Sequence, residues 1–143
     1  MQPVTRIFTS DLCQLAEMRE WVRDACRSVW GAKASSEAID MLELALDEAA
    51  TNIILHAYQK RQGQPIEITV EVDADRASVS LYHAGCAFDP GSIPPPSFDG
   101  TRESGFGLFL IRQSVDEVEY LRDERGRCGI RLVKKRDLVP QRS

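Results

Sequence analysis

Hydrophobic positions along the chain follow two spacings, one helical and one alternating. Residues 4–8, VTRIF, fit a short strand. Leu12, Leu15, Val22, Cys26 and Val29 recur at helical spacing, Ser10 or Asp11 can cap that helix, and Gly31 can end it. A second helix starts at Ser35 or Ser36, with Glu37 and Asp40 in its first turn, where negative charge is favoured. It ends near Tyr58. Ile66, Ile68, Val70 and Val72 then alternate with Glu67, Thr69 and Glu71, as in a strand with one buried face. Residues 73–76 make a turn, and Ala77, Val79 and Leu81 alternate in the next strand. GFGLFLIRQSVDEV begins as a helix, and EVEYLRD and CGIRLVKK are two strands joined around Glu124 to Gly126. The predicted order is β-α-α-β-β-loop-α-β-β. Strands in hairpins and helices in between predict an α/β two-layer sandwich, with a mixed, mostly antiparallel sheet and helices on one face.

Length and composition narrow the class. A chain of 143 residues suits a single domain spanning 1–143 with a sizeable core. The net charge of −4 argues against a dominant attraction to nucleic acid or an anionic membrane. No apolar run approaches the roughly 20 residues that span a bilayer. The start, MQPVTRIFTSD, lacks a basic segment followed by an apolar signal core, so a cytoplasmic location is expected. Cys13, Cys26, Cys86 and Cys128 show no CxxC spacing, which disfavours zinc; reduced thiols acting as small packing residues are expected. The segment GSIPPPSFDGTRESG, 91–105, holds three consecutive prolines that exclude helix and central strand. A loop of this length within a compact domain suits a lid or binding loop.

The second helix carries an unusual row. Ile39, Leu42, Leu46, Ala49, Ala50 and Ile53 share one face, and Asp40, Glu43, Asp47 and Thr51 share another, expected to meet solvent. Glu48, Asn52 and His56 form a third row, four residues apart, flanked by Met41, Leu44, Ala45 and Leu55. Such a row suits polar groups satisfied by hydrogen bonds, at the surface or buried. Metal binding by these side chains alone fits no familiar zinc spacing. A third reading is a nucleotide–magnesium site, with Glu48 as a base and the Asn52 amide oxygen completing the shell of an ion held mainly by phosphates and water.

Two glycine segments bear on this choice: LYHAGCAFDP, 81–90, after a strand, and ESGFGLFLI, 103–111, opening a helix. Gly105 and Gly107 allow close approach of backbone to ligand, and the helix start offers free N–H groups to phosphate. The ordered set EAATNIILHAY, glycine turn, proline loop and ESGFGLFLI resembles the GHKL ATPase superfamily, and within it the anti-sigma-factor serine kinases of the RsbW/SpoIIAB type, over roughly residues 10–135.

That resemblance implies ATP bound between the helices and a mobile lid, about 91–104, with Mg2+ on the phosphates. Glu48 would then polarise the serine hydroxyl of a protein substrate, and Asn52 would hold magnesium. His83, Gly85 and Ala87 would line the nucleotide from the first glycine segment, and Gly105, Phe106, Gly107 and Leu108 from the second. His56 and Tyr58 match the family pattern in mainly structural roles, with His56 able to orient Asn52. The implied partners are a STAS-domain anti-anti-sigma protein and a sigma factor, and homodimers are usual in the family. One departure stands out: the family's adenine-binding aspartate is replaced by His83. A neutral imidazole can accept a hydrogen bond where a protonated one cannot. An ATP-dependent kinase and a non-catalytic anti-sigma or regulatory binding module with a degenerate site are the two functions that follow.

Overall fold

The computed structural model describes residues 2–31, 36–84 and 103–136. Its elements run β1 (Val4–Thr9), a 3-10 turn (Leu12–Gln14), α1 (Leu15–Trp30), α2 (Ser36–Asn52), a π-helical turn (Ile53–Ala57), β2 (Pro65–Val72), β3 (Arg76–His83), α3 (Glu103–Ser114), β4 (Glu117–Arg122) and β5 (Cys128–Lys135). The five strands form one sheet in the order β1-β2-β3-β5-β4, and every neighbouring pair is antiparallel. The α/β sandwich expected from the sequence is therefore present.

Alternation decides which sheet face the helices cover. Ile66, Ile68, Val70 and Val72 on β2, and Ala77, Val79 and Leu81 on β3, are buried in one cluster with the apolar stripes of α1 and α2. Glu67, Thr69, Ser78 and Ser80 point the other way and are half-buried. β5 lies inside the sheet, and its apolar residues Ile130, Leu132 and Val133 are buried. β4, carrying Glu117 and Glu119, takes an edge, where charge discourages pairing with another chain.

The core face of α1 differs from the one the sequence suggested. Met18, Val22, Cys26 and Trp30 are buried, whereas Leu12 and Val29 are exposed. Leu12 belongs to the 3-10 turn, whose three-residue period puts it out of phase with the helix that follows. Asp11 precedes that turn without a side-chain cap bond; its carboxylate instead accepts from the Thr9 hydroxyl at 2.5 Å. Trp30 is a core residue whose indole N–H donates to the Asp73 carbonyl at 2.7 Å. The acidic face of α2 also has partners. Arg23 of α1 bonds Asp40 at 2.6 Å and pairs with Glu43, and Arg19 pairs with Asp47.

Cys13 and Cys26 are free thiols, and burial pushes the Cys26 thiol up to about 12. Cys128 is disulfide-bonded, which corrects the expectation of four reduced thiols. Among the described residues no helix is long and apolar enough to cross a membrane.

Candidate functional site

α2 holds its core through Ile39, Leu42, Leu46, Ala49, Ala50 and Ile53, all buried as the helical spacing predicts. That anchoring turns the polar row along the rim of the core. Glu48 and Asn52 are half-buried one turn apart. Among the described residues, neither side chain has a hydrogen-bond or ion-pair partner. Burial, with a smaller contribution from the neighbouring Asp47 charge, raises the Glu48 carboxyl above its ordinary value, so its carboxylate is a better proton acceptor than a surface glutamate.

The row stops at Asn52. Residues 53–57 form a π-helical turn, closed by Tyr58 N–H donating to the Ile53 carbonyl at 2.9 Å. The i→i+5 spacing widens the turn and breaks the four-residue repeat. His56 is exposed, and no hydrogen bond joins it to Asn52 among the described residues. Orientation of Asn52 by His56, suggested by the sequence, is therefore absent here.

The π-helical turn instead delivers Tyr58 to the sheet. Tyr58 is buried, and its hydroxyl donates to the Pro65 carbonyl at 2.5 Å and accepts from Ala84 N–H at 2.9 Å. Its ring meets His83 edge-on, with centroids 5.9 Å apart. His83 ends β3, opposite Ile66 and Cys128. Its Nδ1 lies 3.0 Å from the Ala84 carbonyl oxygen, which can only accept, so Nδ1 carries the proton. Burial depresses the His83 imidazole below its ordinary value against the weaker opposing effect of that hydrogen bond, and the ring is neutral near pH 7.

The second glycine segment lies in α3. The helix starts at Glu103, so Gly105, Phe106, Gly107 and Leu108 fall in its first two turns, in the segment expected to open it. α3 packs along α2, the helix that carries Glu48 and Asn52. Gly85, Ala87 and residues 91–102 of the lid expected at about 91–104 lie outside the described residues, while Glu103 and Ser104, its last two, begin α3.

No cluster of three or more His, Cys, Asp or Glu side chains able to hold a metal exists among the described residues. An amide oxygen at Asn52 without a partner fits a magnesium ion whose other ligands are phosphate oxygens and water, and leaves the unpartnered Glu48 carboxylate one turn away free to accept a proton.

The histidine kinase-like ATPase domain family matches residues 8–134. This chain belongs to that family. The ATPase-type domain is similar to serine-protein kinase RsbW of Oceanobacillus iheyensis, 33% identical over 93 residues, which are 59% of each chain. It is similar also to serine-protein kinase RsbW of Bacillus cereus, 32% identical over 95 residues, 60% of this chain and 58% of the relative. The similarity thus spans about six-tenths of these relatives. In fold, the domain resembles the RsbU and RsbW domains of Rv1364c from Mycobacterium tuberculosis, with a TM-score of 0.64 at 14% identity, over 95% of this chain and 33% of that one.

Tyr58 was the residue whose part in the site the sequence understated. Its hydroxyl accepts from Ala84 N–H, 26 positions along the chain, and only its place in the segment EAATNIILHAY hinted at it.

Proposed function

We propose that this ATPase-type domain is a protein serine kinase and anti-sigma factor in a partner-switching pathway, with a STAS-type anti-anti-sigma protein as substrate. The observation that carries the reading is the pair Glu48 and Asn52: half-buried, unpartnered within the described chain, and set on the helix packed against α3. The names of the similar proteins supply the reaction class.

In the proposed reaction the substrate serine oxygen attacks the γ-phosphorus of ATP. The new O–P bond forms as the bond to the β-phosphate oxygen breaks, and ADP leaves. Glu48 accepts the hydroxyl proton, a task helped by its raised basicity. Asn52 would hold Mg2+, which when bound neutralises phosphate charge. The first turn of α3, with Gly105, would offer backbone N–H groups to phosphate, and Gly107 would leave room for close approach. The transferred phosphate adds negative charge to the substrate and changes which partner it can dock against; a sigma factor would occupy the surface so vacated.

Transfer of labelled phosphate from ATP to a STAS protein tests this. Glu48→Gln keeps the size and removes the base, so transfer should fall by about 10²–10⁴-fold with the folded structure retained. Transfer at the wild-type rate in that variant removes Glu48 from the role.

A second reading, a non-catalytic binding module, is favoured by one observation: His83 stands where the resembling family has an acidic adenine contact. Calorimetry with ATP and magnesium separates the two. Absence of binding at millimolar ATP supports the module, and binding regained in His83→Asp would assign the defect to this position.

A further inference from the structure

On α2 the usual order of exposure is inverted around one residue. Leu44 is 43% exposed, the large apolar side chain of this helix that meets solvent, while its charged neighbours Glu43, Asp47 and Glu48 are half-buried. The core does not need Leu44, since Leu42, Ala45, Leu46 and Ala49 fill the buried face. Met41, three residues earlier, is half-buried and continues the apolar surface. The acids beside Leu44 are already neutralised: Arg23 bonds Asp40 and pairs with Glu43, and Arg19 pairs with Asp47. At about 100° per residue, Leu44 lies between those paired acids and the row of Glu48 and Asn52. It precedes Glu48 by one turn, which sets the two Cβ atoms about 5–6 Å apart. The approach to the Glu48 carboxylate from this side is therefore apolar and close to neutral.

We propose that Leu44 is a specificity-determining residue for phosphate transfer: it receives an apolar side chain one or two positions from the substrate serine. This deepens the kinase reading and rests on it. For Glu48 to take the hydroxyl proton, the serine oxygen must come within about 3 Å of its carboxylate. An extended substrate chain advances about 3.3 Å per residue, so the residue next to the serine, or the one beyond it, passes over Leu44. An apolar side chain seated there withdraws its own surface and that of Leu44 from water. A charged side chain would lose hydration against Leu44 and find no free counter-charge, because the nearby acids are held by α1. The rim thus selects for an apolar flank and against a basic one.

The experiment measures transfer from labelled ATP, with magnesium, by the full chain to a STAS protein whose phosphorylated serine is located by mass spectrometry. Leu44→Ala should raise KM for that protein by about 5–30-fold, the range of a truncated interface anchor. The value of kcat and the affinity for ATP should stay unchanged. Leu44→Met, which keeps the apolar volume, should restore the wild-type KM. Leu44 is exposed and alanine suits a helix, so both variants keep the fold. Glutamine in place of the apolar residue beside the substrate serine should raise KM with the wild type but add little with Leu44→Ala, because both changes remove one contact. Ile7→Ala removes another exposed apolar side chain, paired with Glu67 on the sheet face away from the helices, and should leave KM unchanged. An unchanged KM in Leu44→Ala overturns the proposal. So do effects of the two changes that simply add, a loss of ATP affinity that matches the rise in KM, or a phosphorylated serine with no apolar residue within two positions. Each of these leaves the kinase reading standing, because the wild type still transfers phosphate. A wild type that transfers none removes that reading and this inference with it.

Discussion

His83 shows how one side chain couples the site to acidity. The imidazole is buried beside Tyr58 and opposite Cys128 and Ile66, and none of these carries a charge at neutral pH to offset a proton on the ring. Its folded-state value is depressed from 6.5, so between that value and 6.5 the unfolded chain binds a proton that the folded chain refuses. Stability is fully present above 6.5 and falls as the pH drops through this window. Thermal unfolding between pH 7.5 and 5.5 should show Tm falling in the wild type, with a smaller fall in His83→Phe; equal slopes would remove His83 as the source. At this scale the sequence was informative where one helix period held. Glu48 and Asn52 could be placed together from a four-residue spacing alone. His56 could not, because a π-helical turn intervenes, and nothing in the residue types marks where a helix widens. The Tyr58–Ala84 bond was hidden for a different reason: it closes across a hairpin, and periodicity carries no information about such contacts.

Among the elements, β3 and β5 illustrate a join that pattern reading does not reveal. Their register sets Tyr82 opposite Gly129 on the face away from the helices. A Cβ on Gly129 would lie 2.7 Å from the Leu81 carbonyl oxygen and 2.8 Å from the Tyr82 ring, so glycine is required by space and not by backbone angle. Arg127 stacks over the same ring at 5.2 Å and reaches Glu67 at 3.1 Å and Asp123 at 2.7 Å, linking β2, β3 and the β4–β5 turn. Gly129→Ala should cost about 1–3 kcal/mol through overpacking, read as a lower denaturation midpoint in urea. An unchanged midpoint would show that the ring moves aside freely. The strands themselves were legible, since β2 and β3 alternate buried and less buried positions and the segment CGIRLVKK coincides with β5. The start of α1 was not, because a 3-10 turn and an α-helix share residue preferences but differ in period.

At the scale of the molecule, the cysteines follow the fold and not their spacing. Native labelling should modify exposed Cys13, unfolding should add buried Cys26, and Cys128 should label only after a reductant; mass spectrometry of each step checks this. Labelling of Cys128 without reduction would contradict its bonded state. The sheet order shows the same division. Hairpin spacing indicated an antiparallel sheet, yet β5 lies between β3 and β4, a crossover that no local pattern encodes. Burial explains it: β5 is buried at Cys128, Gly129, Ile130, Leu132, Val133 and Lys134 and needs the interior, while β4 carries acidic residues that tolerate an edge. The sequence by itself determined the order of helices and strands, the buried stripe of α2 and the place of Glu48 and Asn52 one turn apart, because each follows from a repeat within one segment. Only the tertiary structure decided the sheet order, the bonded state of Cys128 and the proton on His83, because each depends on groups far apart in the chain meeting where water is excluded.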